Sequence, residues 1–285
     1  MPMQNIVRTA AELRKEVERA RGKGLSVGLV PTMGALHEGH FALVRQARRD
    51  CGIVIASLFV NPTQFGENED FDTYPRDEVQ DFGLFQQNGV DIVYAPGVEE
   101  MYPEGFGITV TVAGLTEGLC GTIRPGHFEG VTTVVSKLFY HCCPDAAYFG
   151  EKDYQQLKVV EQMVRDLDLS IRVVGIPIVR ERDGLALSSR NARLSVAERR
   201  IAPALPAAMR TVAGRLSAGV DLEAQCVWGR DELLRAGFDR VEYFEIRDSQ
   251  TLQRVGNFRS GLRLFVAARL RETRLIDNLA VDKID

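Results

Sequence analysis

The chain has 285 residues, 45% hydrophobic, 26% charged and 8% aromatic, with a formal net charge of −4. That supplies core for one large or two modest domains and no basic excess to hold a nucleic-acid backbone. No apolar run reaches the about 18 residues of a membrane span, "MPMQNIVRTAAELRKEV" lacks a signal-peptide core, and Cys51, Cys120, Cys142, Cys143 and Cys226 follow no disulfide spacing, so a reducing, cytoplasmic setting is expected.

Residues 10–21 read as a helix, with Leu13 and Val17 four apart. "LSVGLVPT" (25–32) is a buried strand. From His40, the positions His40, Val44, Ala47 and Cys51 keep helical spacing, with Arg45, Arg48 and Arg49 on the wet side. "IVIASLFV" (53–60) is a second strand, 76–88 a helix on Val79, Phe82 and Phe85, and "DIVYAP" (91–96) a third strand. "ITVTVAG" (108–114) reads as a fourth short β segment. Then come a helix at 130–141, a strand at 145–150, a helix at 154–168 and a strand at 171–179. Apolar strands alternating with amphipathic helices predict a parallel sheet covered on both faces, a doubly wound, Rossmann-like α/β fold.

The pattern changes near Val179, where "RERDGLALSSRNARL" is polar and rich in turns. Helical segments at 195–217 and 221–236, then strands at 241–248 and 262–270, read as a smaller α+β domain. The expected domains are 1–178 and 179–285.

In a doubly wound sheet, ligands sit at the carboxyl ends of the strands. "VPTMGALHEGH" (30–40) leaves such an end and enters a helix, whose N-terminus is expected to offer N–H groups and a positive dipole end to phosphate. The loop is neither GxGxxG nor a Walker A. It carries His37 and His40, three apart, able to face one point and to stabilise charge on a phosphate. Gly34 and Gly39 allow close approach of a nucleotide. Taken alone, an HxxH pair also fits two structural histidines at a capped helix, or a metal pair. No HExxH and no Cys, Asp or Glu cluster supplies further ligands, and no protein metal site is expected.

Six blocks in order change the weighting: "PTMGALHEGH" (31–40), "SLFVNPTQF" (57–65), "YPR" (74–76), "LCGTIRPGHFEGV" (119–131), "YFGEKDYQQL" (148–157) and "DGLALSSRN" (183–191). The first resembles the HxGH signature of the nucleotidylyltransferases. Together, over nearly the whole chain, they resemble the pantothenate synthetase (pantoate–β-alanine ligase) family. The resemblance implies ATP-dependent condensation of pantoate with β-alanine through pantoyl adenylate, with ATP as substrate, Mg2+ arriving on it, and a homodimer.

It also implies roles. Met33, Gly34, Ala35, Leu36, His37, Glu38, Gly39 and His40 form the first ATP loop, with His40 the proton donor and His37 its partner at the phosphates. Gly150, Glu151, Lys152 and Asp153 bind ATP, with Lys152 reaching the phosphates. Val179 meets adenine. Leu187, Ser188, Ser189 and Arg190 close over the triphosphate, Leu187 standing where the family more often has Met. Gln64 and Gln156 hold pantoate, and Gln64 later β-alanine. His37, His40, Lys152 and Arg190 make up the catalytic set. Asn61 is a neighbour of Gln64, and Arg124 and His127 lie on a Gly/Pro-rich loop expected to be a mobile flap. Asp81 faces a family region linked to magnesium and stays outside the set. Two other readings explain fewer blocks: a nucleotidyltransferase whose product keeps the nucleotide, and a nucleotide sensor without chemistry.

Overall fold

The computed structural model describes residues 5–67, 69–216 and 219–281. Contacts divide the chain into two units, Met1–Glu151 with Gln156–Pro177, and Lys152–Gln155 with Ile178–Asp285.

The first unit runs β1 (Asn5–Val7), α1 (Ala10–Arg21), β2 (Val27–Thr32), α2 (Glu38–Asp50), β3 (Ile53–Leu58), α3 (Glu78–Gln87), β4 (Ile92–Tyr94), α4 (Val98–Met101), α5 (Cys120–Ile123), α6 (His127–Cys142), β5 (Ala146–Gly150), α7 (Tyr154–Asp166) and β6 (Arg172–Ile176). Helix α7 begins on residues of the second unit. The local signals explain the starts. At α1, Thr9 and Glu12 form a reciprocal capping box, and Leu13, Val17 and Ala20 make the buried stripe.

The six strands lie in the order β1-β4-β3-β2-β5-β6, and each pair is parallel. On one face Val30, Val54, Ala56 and Val93 pack with Leu43, Val44 and Ala47 of α2 and Phe85 of α3. Leu29 and Ile55, on the opposite pleat, are also fully buried, and α6 lies against β2 and α1. The sheet is doubly wound. The chain leaves β2 for β3 on one side and returns to place β5 on the other, so a topological switch point falls at the carboxyl ends of β2 and β5.

The second unit carries α8 (Val196–Ile201), α9 (Ala204–Arg215), α10 (Leu222–Ala236) and the antiparallel sheet β7 (Arg240–Asp248), β8 (Leu262–Leu270) and β9 (Thr273–Val281). Leu205, Met209, Val212, Leu233, Phe244, Leu264 and Val266 form its core. It is a small α+β unit.

Several elements differ from expectation. Residues 108–114 form no strand. Val110 has its backbone served by α6: its N–H donates to Thr133 Oγ1 at 3.0 Å, and its carbonyl accepts from Thr132 Oγ1. The β propensity of "ITVTV" is real, but two threonines meet the hydrogen-bonding need a neighbouring strand would have met. The 171–179 strand stops at Ile176, before Pro177. The 195–217 helix is two helices, parted at Ala202–Pro203. Strands β1 and β9 were not foreseen.

Candidate active site

One side of the switch point is built by the loops after β2 and the neighbouring β3. Thr32 ties the two strand ends together: its N–H donates to Ser57 Oγ at 3.2 Å and its Oγ1 to Ser57 O at 2.7 Å. Its Oγ1 then accepts from Gly34 N at 3.3 Å. Gly34 and Ala35 take left-handed backbone, φ 86° and 51°. That turn aims the next two amides at α3, where Asp81 accepts Ala35 N on Oδ2 and Leu36 N on Oδ1, each at 3.1 Å.

The two histidines cap α2 reciprocally. His37 Nδ1 accepts from Gly39 N at 3.1 Å, and His40 Nδ1 accepts from His37 N at 3.2 Å. His40 N and Phe41 N donate to His37 O. This narrows the expectation that the helix start offers its N–H groups to phosphate. The amides of Gly34, Ala35, Leu36, His37, Gly39, His40 and Phe41 all have partners within the loop, β2, α2 or α3. What this arrangement supplies instead is tautomer control. A backbone N–H can only donate, so both Nδ1 atoms are acceptors and, in each neutral ring, the proton sits on Nε2. The rings stack at 4.2 Å between centroids. Two Nε2–H donors on adjacent rings suit an oxyanion or a departing phosphate.

Gln64 closes the 3-10 turn Pro62–Gln64 after β3 and is buried. Its Oε1 accepts from Asn61 Nδ2 at 3.1 Å, and its Nε2 lies 3.2 Å from Met33 Sδ, bringing two candidate residues together. Asn61 is fixed in turn. Its Nδ2 also donates to Gly130 O, and its Oδ1 accepts from Thr63 and from Tyr102 Oη at 2.8 Å. Asn61 therefore determines which end of the Gln64 amide donates.

Arg124 and His127, expected on a flap, act on the same residue. Arg124 donates to Gln64 O at 3.3 Å and His127 Nδ1 to the same carbonyl at 2.9 Å. Because a carbonyl only accepts, His127 carries its proton on Nδ1, and its Nε2 accepts from Arg124 at 3.0 Å. Arg124 also forks onto Glu69 at 2.6 and 2.5 Å. Burial alone would raise the Glu69 carboxyl, but the Arg124 fork outweighs it and holds it below its ordinary range. No spacing in the sequence pointed to Asp81, Glu69 or Tyr102 as supports of these residues.

Gly150 ends β5 and Glu151 opens the 3-10 turn Glu151–Asp153. Gln156 lies half-buried in the first turn of α7.

The second unit holds the other candidates. Lys152 Nζ lies 3.6 Å from Asp153 Oδ2, and Lys152 O accepts from Asn278 of β9 at 3.0 Å. Val179 O accepts from Leu187 N at 3.0 Å across a tight turn, joining those two residues. Ser188 caps the 3-10 turn Ser189–Arg193 through its hydroxyl, which accepts from Arg190 N at 3.2 Å. Arg199, bonded to both Glu181 and Asp183, braces the preceding turn.

Among the described residues no group of three or more His, Cys, Asp or Glu is assembled to hold a metal. The five cysteines form no disulfide, and burial pushes the Cys142 thiol up, away from reactivity.

The family model described as pantoate-beta-alanine ligase matches residues 5–280. A pantothenate synthetase of Rhodospirillum rubrum is 54% identical over 277 residues, 97% of this chain and 98% of that protein. The crystal structure of pantothenate synthetase from Thermus thermophilus superposes with a TM-score of 0.91 at 51% identity, covering 98% of this chain and 100% of that one. A pantoate-beta-alanine ligase from Francisella tularensis, complexed with beta-gamma ATP and beta-alanine, gives a TM-score of 0.82 at 31% identity over 98% of both chains.

Proposed function

Because the chain belongs to the pantoate–β-alanine ligase family, we infer that its paired imidazoles serve the phosphorus chemistry of an ATP-dependent ligation. The reaction condenses pantoate with β-alanine. A pantoate carboxylate oxygen attacks the α-phosphorus of ATP, the bond to the β-phosphate oxygen breaks, and pyrophosphate leaves. The β-alanine nitrogen then attacks the acyl carbon, the acyl–oxygen bond breaks, and AMP departs as the nitrogen loses a proton. The logic is activation, since a free carboxylate is a poor acyl donor and its mixed anhydride a good one.

The observation that carries the assignment of roles is the reciprocal cap of His37 and His40, which presents two Nε2–H donors at the switch point. His40 gives up its proton to the leaving phosphate oxygen, and His37 shares the charge. Gln64, its amide end set by Asn61, donates Nε2–H to a pantoate hydroxyl and later orients the amine. Met33, Gly34, Ala35, Leu36, Glu38 and Gly39 shape the nucleotide-binding loop. Gly150, Glu151, Lys152 and Asp153, with Val179, Leu187, Ser188, Ser189 and Arg190, complete the ATP contacts. Lys152 and Arg190 supply the fixed positive charge that triphosphate calls for. Gln156 is the second pantoate contact.

Mg2+ enters as the counter-ion of ATP and needs few protein ligands. A homodimer, a cytoplasmic setting and the division at 178/179 complete the proposal. Among the described residues no helix is long and apolar enough to cross a membrane.

The test is ATP–pyrophosphate exchange without β-alanine. Exchange that requires pantoate supports a reversible adenylate. Exchange that ignores pantoate, or a product that retains the nucleotide, contradicts it.

A further inference from the structure

Asp81 is a buried carboxylate, 3% exposed, whose two oxygens each accept a backbone amide from the loop between β2 and the histidines. It stands on the first turn of α3, an element that otherwise supplies nothing to the candidate site. Gly34 is pressed against it: a Cβ there would lie 2.7 Å from Asp81 Oδ2 and 2.9 Å from Leu58 Cδ1. The left-handed Gly34–Ala35 pair makes successive amides converge on one point, the geometry by which backbone binds an anion. Here the anion is the protein's own. Burial raises the Asp81 carboxyl above its ordinary range, against the two amides that lower it, so an ionised group is kept here at a cost.

The next amides explain what that cost secures. Leu36 N is held by Asp81, and the following amide, His37 N, is the one that fixes His40 Nδ1. A loop free to swing at Leu36 carries His37 N with it. The pair of bonds that sets both imidazole tautomers then loses its register.

We propose that Asp81 is a positioning residue for the two histidines, an internal anion that occupies the amide nest of the loop and holds both imidazoles with Nε2 toward the substrate. The proposal rests on the function inferred above. It also takes the Ala35 and Leu36 amides out of the groups offered to phosphate, because Asp81 already engages them.

The test uses the full chain carrying Asp81→Asn, which keeps the size but turns one acceptor oxygen into a donor facing an N–H. Steady-state exchange kinetics give kcat and the KM for ATP and for pantoate. Nitrogen-15 imidazole signals, from a chain with 4 histidines, report the tautomers directly. The expected result is a fall in kcat of about 100-fold, the scale of a misplacement of about 1 Å. The KM for ATP should rise, that for pantoate should stay, and two histidines should leave the Nε2–H tautomer. An unchanged kcat and KM for ATP overturns the proposal. So does a lower kcat with both KM values and all imidazole signals unchanged, the mark of lost folded enzyme. If Asp81→Asn does not fold, Gly34→Ala attacks the same contact from the other side, with the same outcomes required. A wild-type chain without pantoate-dependent exchange refutes the inferred function alone, since the imidazole signals still decide the role of Asp81.

Discussion

Single atoms decide what the site can do, and Asn61 is the sharpest case. It is 1% exposed and joins Gln64, Gly130, Thr63 and Tyr102. Asn61→Ala leaves the Gln64 amide without its orienting donor and the half-buried Tyr102 hydroxyl with only its longer contact to Thr63 Oγ1. The loss is expected at about 1–3 kcal/mol in kcat/KM for pantoate, the cost of an unmet buried polar group. Tyr102→Phe removes the bond to Asn61 and a longer contact with Thr63 Oγ1 at 3.3 Å, and is expected to cost about 0.5–1.5 kcal/mol. Steady-state kinetics with pantoate varied check both, and equal effects would mean Tyr102 does more than hold Asn61. His37, His40 and Gln64 could be proposed from the sequence because each belongs to a contiguous block whose residue types suit the proposed chemistry. Their orientation was not. The imidazole tautomers depend on Gly39 N and His37 N, and the Gln64 amide on a tyrosine 38 positions away along the chain.

Elements are read well where one period dominates and poorly where side chains replace backbone partners. Strands β2 and β3 are continuous apolar runs and fell close to their expected bounds. Strand β9, "TRLIDNLAV", was missed because Asp277 and Asn278 are poor strand formers. They are tolerated, and buried at 3% and 2%, because Arg180 forks onto Asp277 at 2.6 and 2.9 Å and Arg263 reaches Asn278. The contact between α6 and the turn that carries Gln64 offers a test at this scale. A Cβ on Gly130 would lie 2.4 Å from Thr63 O and 2.6 Å from Gln64 N, both backbone atoms that cannot step aside. Gly130→Ala is expected to lose about 1–3 kcal/mol of stability to overpacking and to weaken pantoate binding as well. Gly229→Ala meets the Phe244 ring at 2.4 Å in the second unit. It should lower stability by a similar amount, about 1–3 kcal/mol, without changing the KM for pantoate in the folded fraction. Denaturant melts paired with kinetics separate the two.

At the scale of the whole molecule, pH acts through His141, buried on α6 against Tyr94 Oη at 2.9 Å. Burial, with Lys137 and Arg14 nearby, depresses it from 6.5 to about 4. The unfolded chain protonates this ring first, so stability falls as pH drops from about 6.5 toward 4, by up to about 1.4 kcal/mol per pH unit from this site. Glu69 and Glu242 act in a lower window. Burial opposes them, but their arginines hold both below the ordinary carboxylate value, so their contribution is lost only as pH falls below it. His141→Gln should flatten the stability curve in the upper window alone, and urea melts across pH would show it. Under the proposed mechanism, His37 and His40 act on phosphorus and not on the acyl carbon. The direct measurement supplies His40→Ala with preformed pantoyl adenylate and β-alanine and follows AMP release in a single turnover. Near wild-type release is expected, while pantoate-dependent ATP–pyrophosphate exchange by the same variant falls by about 100- to 1,000-fold. An equal loss in both half-reactions would contradict it.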